Sequence, residues 1–239
     1  MWQFVRIAVL FFLIFIGFRS FVLQAFVIPS GSMQNTLLVG DHLFVLKFSY
    51  GFSRHSFSLP FDVPLPPGRF PVGGPARGDV VVFRNDRTGT VLIKRVIGLP
   101  GDRIQVRDGV VYLNDRALER ERLEDTTTAD ADGQPLTAQQ FRETLPGGPS
   151  YRVLELTENG PLDDTEVYVV PEGHYFMMGD NRDDSTDSRV LLAVGYVPAD
   201  NILGRAAFIF LSLRDNTPLW QFWRWGESIR FERFGLVIR

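Results

Sequence analysis

An uncharged apolar run at residues 7–18, IAVLFFLIFIGF, most constrains what this chain can fold into. Arg6 and Arg19 flank it. Twelve helical residues span ~18 Å, short of the ~30 Å hydrocarbon core of a bilayer. The span becomes adequate if residues 2–6 and 19–22 extend the same helix. The two arginines then snorkel toward opposite interfaces, and Trp2 sits at the headgroup level. Three readings compete. A cleaved signal peptide fits the length, but the bulky FVLQAFVIP that follows offers no small-x-small cleavage site. A buried core helix would be apolar all round at the very start of the chain. A retained membrane anchor over residues 1–22 satisfies both the length and the flanks.

Beyond the run, short β-rich segments dominate, among them GDVVVFRN, GTVLIKRVIGL, EVYVVP and GRAAFIFLSL. Gly-Asp, Asn-Asp and Asp-Gly turn signals punctuate them. In RDGVVYLND, Asp108-Gly109 joins two alternating strands as a hairpin. A mainly β, antiparallel architecture is expected. Residues 119–165 are polar and poor in core residues, which predicts a solvated surface insertion. Residues 52–76, rich in Pro, Gly and Phe, predict an extended apolar loop. The tail LWQFWRWGESIRFERFGLVIR interleaves aromatics with arginine. It suits a membrane interface, or equally an edge strand and loop with aromatic packing.

Composition removes several chemistries. No cysteine is present, which excludes disulfides, thiolate catalysis and Cys-type zinc sites. Net charge is −3, so no basic stripe argues for nucleic acid. No H-E-x-x-H occurs, and GDNRDDSTDSR at residues 179–189 fails the spacing of a calcium loop. That acidic turn follows an apolar strand, and polar groups so dense beside a core form an ordered hydrogen-bond network.

The stretch IPSGSMQNTLLVGD at residues 28–41 sets two serines in a Gly turn. A Ser-His-Asp enzyme needs a histidine beside one of them. His42, His55 and His174 lie in no nucleophile-elbow context, and each is expected at the surface or a strand edge. A lysine is the remaining base, since burial can lower its pKa by several units and leave it neutral near pH 7. The chain has only Lys47 and Lys94, both expected in apolar strands, FVLKFSY and TVLIKRVIG. Lys94 is the better candidate, because Leu92, Ile93, Val96 and Ile97 would desolvate it. Arg95 takes the opposite face of the strand and can stay charged.

PSGSM with TLLVGD, then RGDVVVF, IKRVIGLPGD, GDNRDDSTDSR, VGYVP and GRA follow one another in order. Placed after an N-terminal membrane segment, the set closely resembles bacterial type I signal peptidase. The resemblance implies a membrane-anchored serine endopeptidase with a Ser/Lys dyad. It would remove signal peptides from exported preproteins on the outer face of the bacterial cytoplasmic membrane, after small residues at P1 and P3. Carried over motif by motif, Ser32 matches the nucleophile and Lys94 the general base. Ser30 matches the oxyanion serine, acting with the Ser32 N–H, and Ser185 the serine that orients the lysine. Asp187 and Arg189 match a structural ionic pair. Phe26, Ile28, Pro29, Leu37 and Ile93 fall at or near the pocket-lining positions. No cofactor or metal is implied, and a monomer bound to the lipid bilayer is expected. The anchor would be followed by a catalytic core in two parts, residues 23–102 and 175–239, with a β-rich subdomain inserted at 103–174. Asn35 departs from the family pattern, standing where many members have Pro.

Overall fold

The computed structural model describes residues 2–56, 68–70, 73–129, 135–214 and 220–239, with the backbone alone at 13, 15, 16 and 18–21. The central part of the Pro/Phe-rich loop (57–67) and positions 71–72 therefore lie outside the described residues, as do 130–134 and 215–219.

Helix α1, Trp2–Phe21, occupies the apolar start of the chain. Among the described residues no helix is long and apolar enough to cross a membrane. Phe4, Ile7, Leu10, Phe11 and Phe12 are nonetheless exposed. That exposure rules out the buried core helix, whose apolar surface would be covered.

Antiparallel strands build the rest. A seven-stranded sheet forms from β1 (Leu23–Val27), β2 (Asp41–Leu46), β3 (Val80–Arg84), β4 (Val91–Gly98), β13 (His174–Met178), β14 (Val197–Pro198) and β15 (Ile202–Ser212). Its order is β1-β2-β15-β3-β4-β13-β14. Strands β3 and β4 read as near-continuous apolar runs because they are interior strands, and Val80, Val81, Val82 and Phe83 are all buried. The ladder between β13 and β4 reaches only Arg95, Val96 and Gly98, with a bulge between Phe176 and Met177.

Two four-stranded sheets lie between Arg103 and Val169. One runs β12-β5-β6-β7, with β5 at Arg103–Arg107, β6 at Val110–Leu113, β7 at Arg116–Ala117 and β12 at Tyr168–Val169. Asp108 (φ 48°) and Gly109 (φ 72°) both take the positive φ of a two-residue hairpin turn between β5 and β6, as the Asp-Gly pair predicts. The other sheet holds β8 (Glu119–Arg122), β9 (Thr126–Ala129), β10 (Pro135–Thr144) and β11 (Ser150–Glu155). This second sheet corrects the expectation of a solvated insertion at 119–165. Ala138, Leu145, Tyr151, Val153 and Leu154 supply a buried face, and the Glu143 carboxylate is buried with them. Arg182 meets Glu143 and Tyr151 donates to Glu143, so the low apolar content conceals an ionic core.

Two smaller expectations are corrected. His42 is buried, not peripheral: it packs edge-on against Phe210 at 5.9 Å, and burial lowers its pKa. Lys47 begins a 3-10 turn, Lys47–Tyr50, rather than continuing a strand, and its ammonium donates to the Ser56 carbonyl. Of the two readings of the tail, packing as an edge is the one its contacts display. Val237 bridges Phe208 and Ile229 bridges Leu213, so it closes on β15, while Trp220, Phe222, Trp223, Phe231 and Phe234 stay exposed.

Candidate active site

The turn after β1 becomes a single 3-10 turn, Gly31–Met33, capped by an extended Ser30. Gly31 sits close against two polar side-chain ends, Asp184 and Gln34. A Cβ there would come within 3.1 Å of Asp184 Oδ2. Ser32 and Met33 are buried, whereas Ser30 is exposed at the rim. Ser30 Oγ and Ser32 Oγ lie 3.4 Å apart.

Asn35 has φ 89°, in the left-handed region. Proline, fixed near −65°, has no access to this conformation, whereas Asn is enriched in it. Asn35 Oδ1 accepts a hydrogen bond from Gln140 Nε2 at 2.8 Å, which fastens the turn to the inserted sheet.

Lys94 approaches from β4. Its Nζ and Ser32 Oγ are 2.5 Å apart, across a sequence separation of 62. Lys94 is 3% exposed, and burial lowers its pKa by disfavouring the charged form. Asp187, Asp180 and Asp184 pull it back up, and Arg189 pushes it further down. The net direction is toward a neutral amine, the form able to accept a proton from a hydroxyl.

The loop at 179–189 supplies the remaining walls. Asp187 and Arg189 form a fully buried ion pair at 2.9 Å. Burial alone would push the Asp187 carboxyl up. Arg189, the Gly179 N–H at 3.0 Å and the Ser185 hydroxyl at 2.8 Å outweigh it and hold the carboxyl below its ordinary range. Here the structure departs from expectation: Ser185 donates to Asp187 and makes no hydrogen bond to Lys94. The nearest carboxylate is the stronger acceptor and lies two residues away on the same loop. The loop nonetheless lies close against the serine turn. A Cβ on Gly179 would stand 2.3 Å from Ser185 Oγ and 2.5 Å from the Ser32 carbonyl oxygen. The Asn181 N–H donates to that carbonyl at 3.1 Å.

Sequence reasoning passed over Asp180. Arg95, fully buried beside Lys94, donates to both Asp180 oxygens at 2.8 and 2.7 Å, and burial's downward push on the guanidinium is outweighed by that carboxylate. Asp180 also accepts the Thr36 hydroxyl at 2.5 Å. Strand β4, the acidic loop and the serine turn thus share one carboxylate. The available signal was Arg95 itself, a second charge next to Lys94 on an otherwise apolar interior strand.

Phe26, Ile28, Leu37 and Ile93 gather in one apolar cluster with Met33. Pro29 is exposed and stands apart from it. A separate cleft of about 520 Å³, lined in part by Phe83, His174, Tyr196 and Val197, includes neither Ser32 nor Lys94.

A family model described as "Signal peptidase, peptidase S26" matches residues 1–211. Signal peptidase I of Rickettsia akari is 42% identical over 205 residues, covering 83% of this chain and 75% of that protein. Signal peptidase I of Rickettsia typhi is 41% identical over 231 residues, covering 90% and 85% respectively. A signal peptidase I crystal structure from Enterococcus faecalis V583 has 29% identity and a TM-score of 0.32, over 55% of this chain and 95% of that one. The chain belongs to the signal peptidase family, peptidase S26, and with it to the serine peptidases. Within that family its curated relatives carry the name signal peptidase I, and this is the type of enzyme it represents.

Proposed function

We propose that the protein cleaves N-terminal signal peptides from exported preproteins, with Ser32 as nucleophile and Lys94 as general base. The observation that carries this is the 2.5 Å approach of a buried, pKa-lowered lysine to the serine hydroxyl. Neutral Lys94 accepts the Ser32 proton as Oγ attacks the scissile carbonyl carbon. The Ser30 hydroxyl and the Ser32 N–H stabilise the oxyanion of the tetrahedral intermediate, each such donor contributing about 3–4 kcal/mol. The Lys94 ammonium then gives its proton to the departing amine as the C–N bond breaks, leaving an acyl-Ser32 ester. Lys94, neutral again, takes a proton from water, whose oxygen attacks the ester carbonyl. The proton returns to Ser32 as the acid leaves. Ser185 and Arg189 act through Asp187, whose charge faces Lys94.

Substrate binds as an added strand. β1 is an edge of the seven-stranded sheet, and among the described residues none pairs with 91–94 of β4 on the side away from β3. A peptide lying there would form main-chain hydrogen bonds and place P1 and P3 over Phe26, Ile28, Leu37 and Ile93. Such close-packed apolar walls admit alanine and reject larger side chains by shape. Pro29 borders the entrance. The exposed apolar face of α1 and the exposed tail aromatics support a single-pass membrane anchor with the catalytic domain on the outer face of the cytoplasmic membrane. Tethering raises the effective concentration toward membrane-held substrates.

Preprotein cleavage by wild type, Ser32→Ala and Lys94→Met tests the assignment. Each variant should lose at least about 10³-fold in kcat, and Lys94→Arg should not restore it, since arginine stays charged. Near-wild-type turnover by either would refute the dyad. Equal cleavage of substrates with Ala and Leu at P1 would refute the small pocket. Alkaline carbonate extraction should leave the full chain in the membrane pellet; recovery in the supernatant would refute the anchor.

A further inference from the structure

The C-terminal tail lies beyond the family match, which ends at residue 211. Its side chains nonetheless reach the segment that follows Ser32. Arg233 Nε donates to Asp41 Oδ1 at 2.9 Å, and Nη2 donates to Asp41 Oδ2 at 2.6 Å and to the Thr36 carbonyl at 3.0 Å. Asp41 is fully buried, and its Oδ2 also accepts the Leu38 N–H at 2.8 Å. Arg230 Nη1 donates to the Val39 carbonyl at 3.0 Å. Backbone at 36, 38 and 39 is therefore tied, directly or through Asp41, to the tail.

This segment continues the serine turn without a break. The Thr36 and Leu37 N–H groups both donate to the Met33 carbonyl, at 3.1 and 2.8 Å. On its other side Thr36 is held by Asp180 and Arg95. The tail is itself fixed: the Gly235 and Ile238 N–H groups donate to Ile209 and Ala207 at 2.8 Å, and Ile238 is buried against the cluster holding Ile28, Met33 and Leu37.

We infer that Arg233 is a positioning residue for the nucleophile, locking the segment from Thr36 to Asp41 so that the Ser32 hydroxyl stays on Lys94. The inference rests on Ser32 being the nucleophile. A planar guanidinium satisfies a carboxylate and a carbonyl together in fixed directions, which a single ammonium does not. Catalytic geometry is sensitive at this scale, since a displacement of about 1 Å costs on the order of 10²-fold in rate.

The experiment measures kcat and KM of the full chain for Arg233→Met on a preprotein, beside thermal unfolding of the same samples. Expected is a fall in kcat of about 10- to 100-fold with KM within about threefold, in protein that remains folded at the assay temperature. Millimolar guanidinium chloride should restore part of kcat, and ammonium chloride at the same concentration should not. A kcat within twofold of wild type overturns the inference, as does a loss that guanidinium leaves unchanged. If Arg233→Met does not fold, Arg233→Lys decides: kcat lowered severalfold at unchanged KM supports the clamp, and wild-type kcat overturns it. Ser32→Ala in the same assay separates the two proposals. Its inactivity beside a fully active Arg233→Met removes the clamp alone, and its activity removes both.

Discussion

Lys94 and Arg95 are consecutive on β4, both buried, and the fold drives their pKa values in opposite directions. Successive strand residues point to opposite faces. Arg95 meets the Asp180 carboxylate bidentately and is held as a cation. Lys94 meets a hydroxyl and no carboxylate at hydrogen-bonding distance, so desolvation prevails. Several measurable consequences come from this asymmetry and from the packing around it.

Activity should fall on the acidic side as Lys94 takes up a proton, and a flat rate from about pH 5 to 9 would contradict a lysine base of lowered pKa. Stability carries the same signature. The folded pKa lies below the ordinary 10.5, so between the two values the unfolded chain binds the extra proton. Wild-type stability should therefore rise with pH across that window, by up to about 1.4 kcal/mol per pH unit, relative to Lys94→Met. Parallel pH–stability curves for the two proteins in urea would contradict this sign.

Asp184 is exposed beside Gly31 and favours the charged form of Lys94. Asp184→Asn should move the acidic limb of the kcat profile to lower pH. The shift should shrink as ionic strength rises, because an exposed charge is screened. Unfolding midpoints should stay within about 0.5 kcal/mol of wild type, as for other surface changes. An unmoved limb would argue that Asp184 does not act on Lys94.

Asp187→Asn removes one partner of a fully buried pair and strands the Arg189 guanidinium. The expected cost is about 3–5 kcal/mol in denaturant unfolding. Because Asp187 also raises the Lys94 pKa, residual activity should extend to lower pH. A stability loss under 1 kcal/mol would show that the pair contributes little to holding the loop.

Gly179→Ala puts a methyl group 2.5 Å from the Ser32 carbonyl oxygen and 2.3 Å from Ser185 Oγ. Backbone must move, because a carbonyl cannot rotate aside as a flexible side chain does. The chain should fold with a penalty of about 1–3 kcal/mol, while kcat falls by about 10²-fold through displacement of the serine turn. Wild-type kcat would show that the loop and turn separate without consequence.

Much of this fold was legible locally. Alternating segments and Asp-Gly turns foretold antiparallel strands, and the 108–109 hairpin formed at those residues because a positive-φ turn is a property of two adjacent residues. The same logic failed at 119–165. There the buried face rests on Arg182 with Glu143 and on Gln140 with Asn35, pairs 39 and 105 residues apart that no hydropathy window registers. His42 was misjudged for a similar reason, since its cover, Phe210, comes from β15.

By itself the sequence determined an exposed apolar N-terminal helix, a mainly antiparallel β chain, and a short roster of polar groups from which a serine and a lysine stood out once histidine and cysteine were set aside. Order along the chain supplied the family. Tertiary structure alone decided that Ser32 and Lys94 are 2.5 Å apart, that Ser185 donates to Asp187 and not to the lysine, and that Arg233 closes on Asp41 from 192 residues away. The reason is physical. Turn and strand preferences act over a few residues, whereas a buried charge must find its partner wherever sheet order brings one within reach.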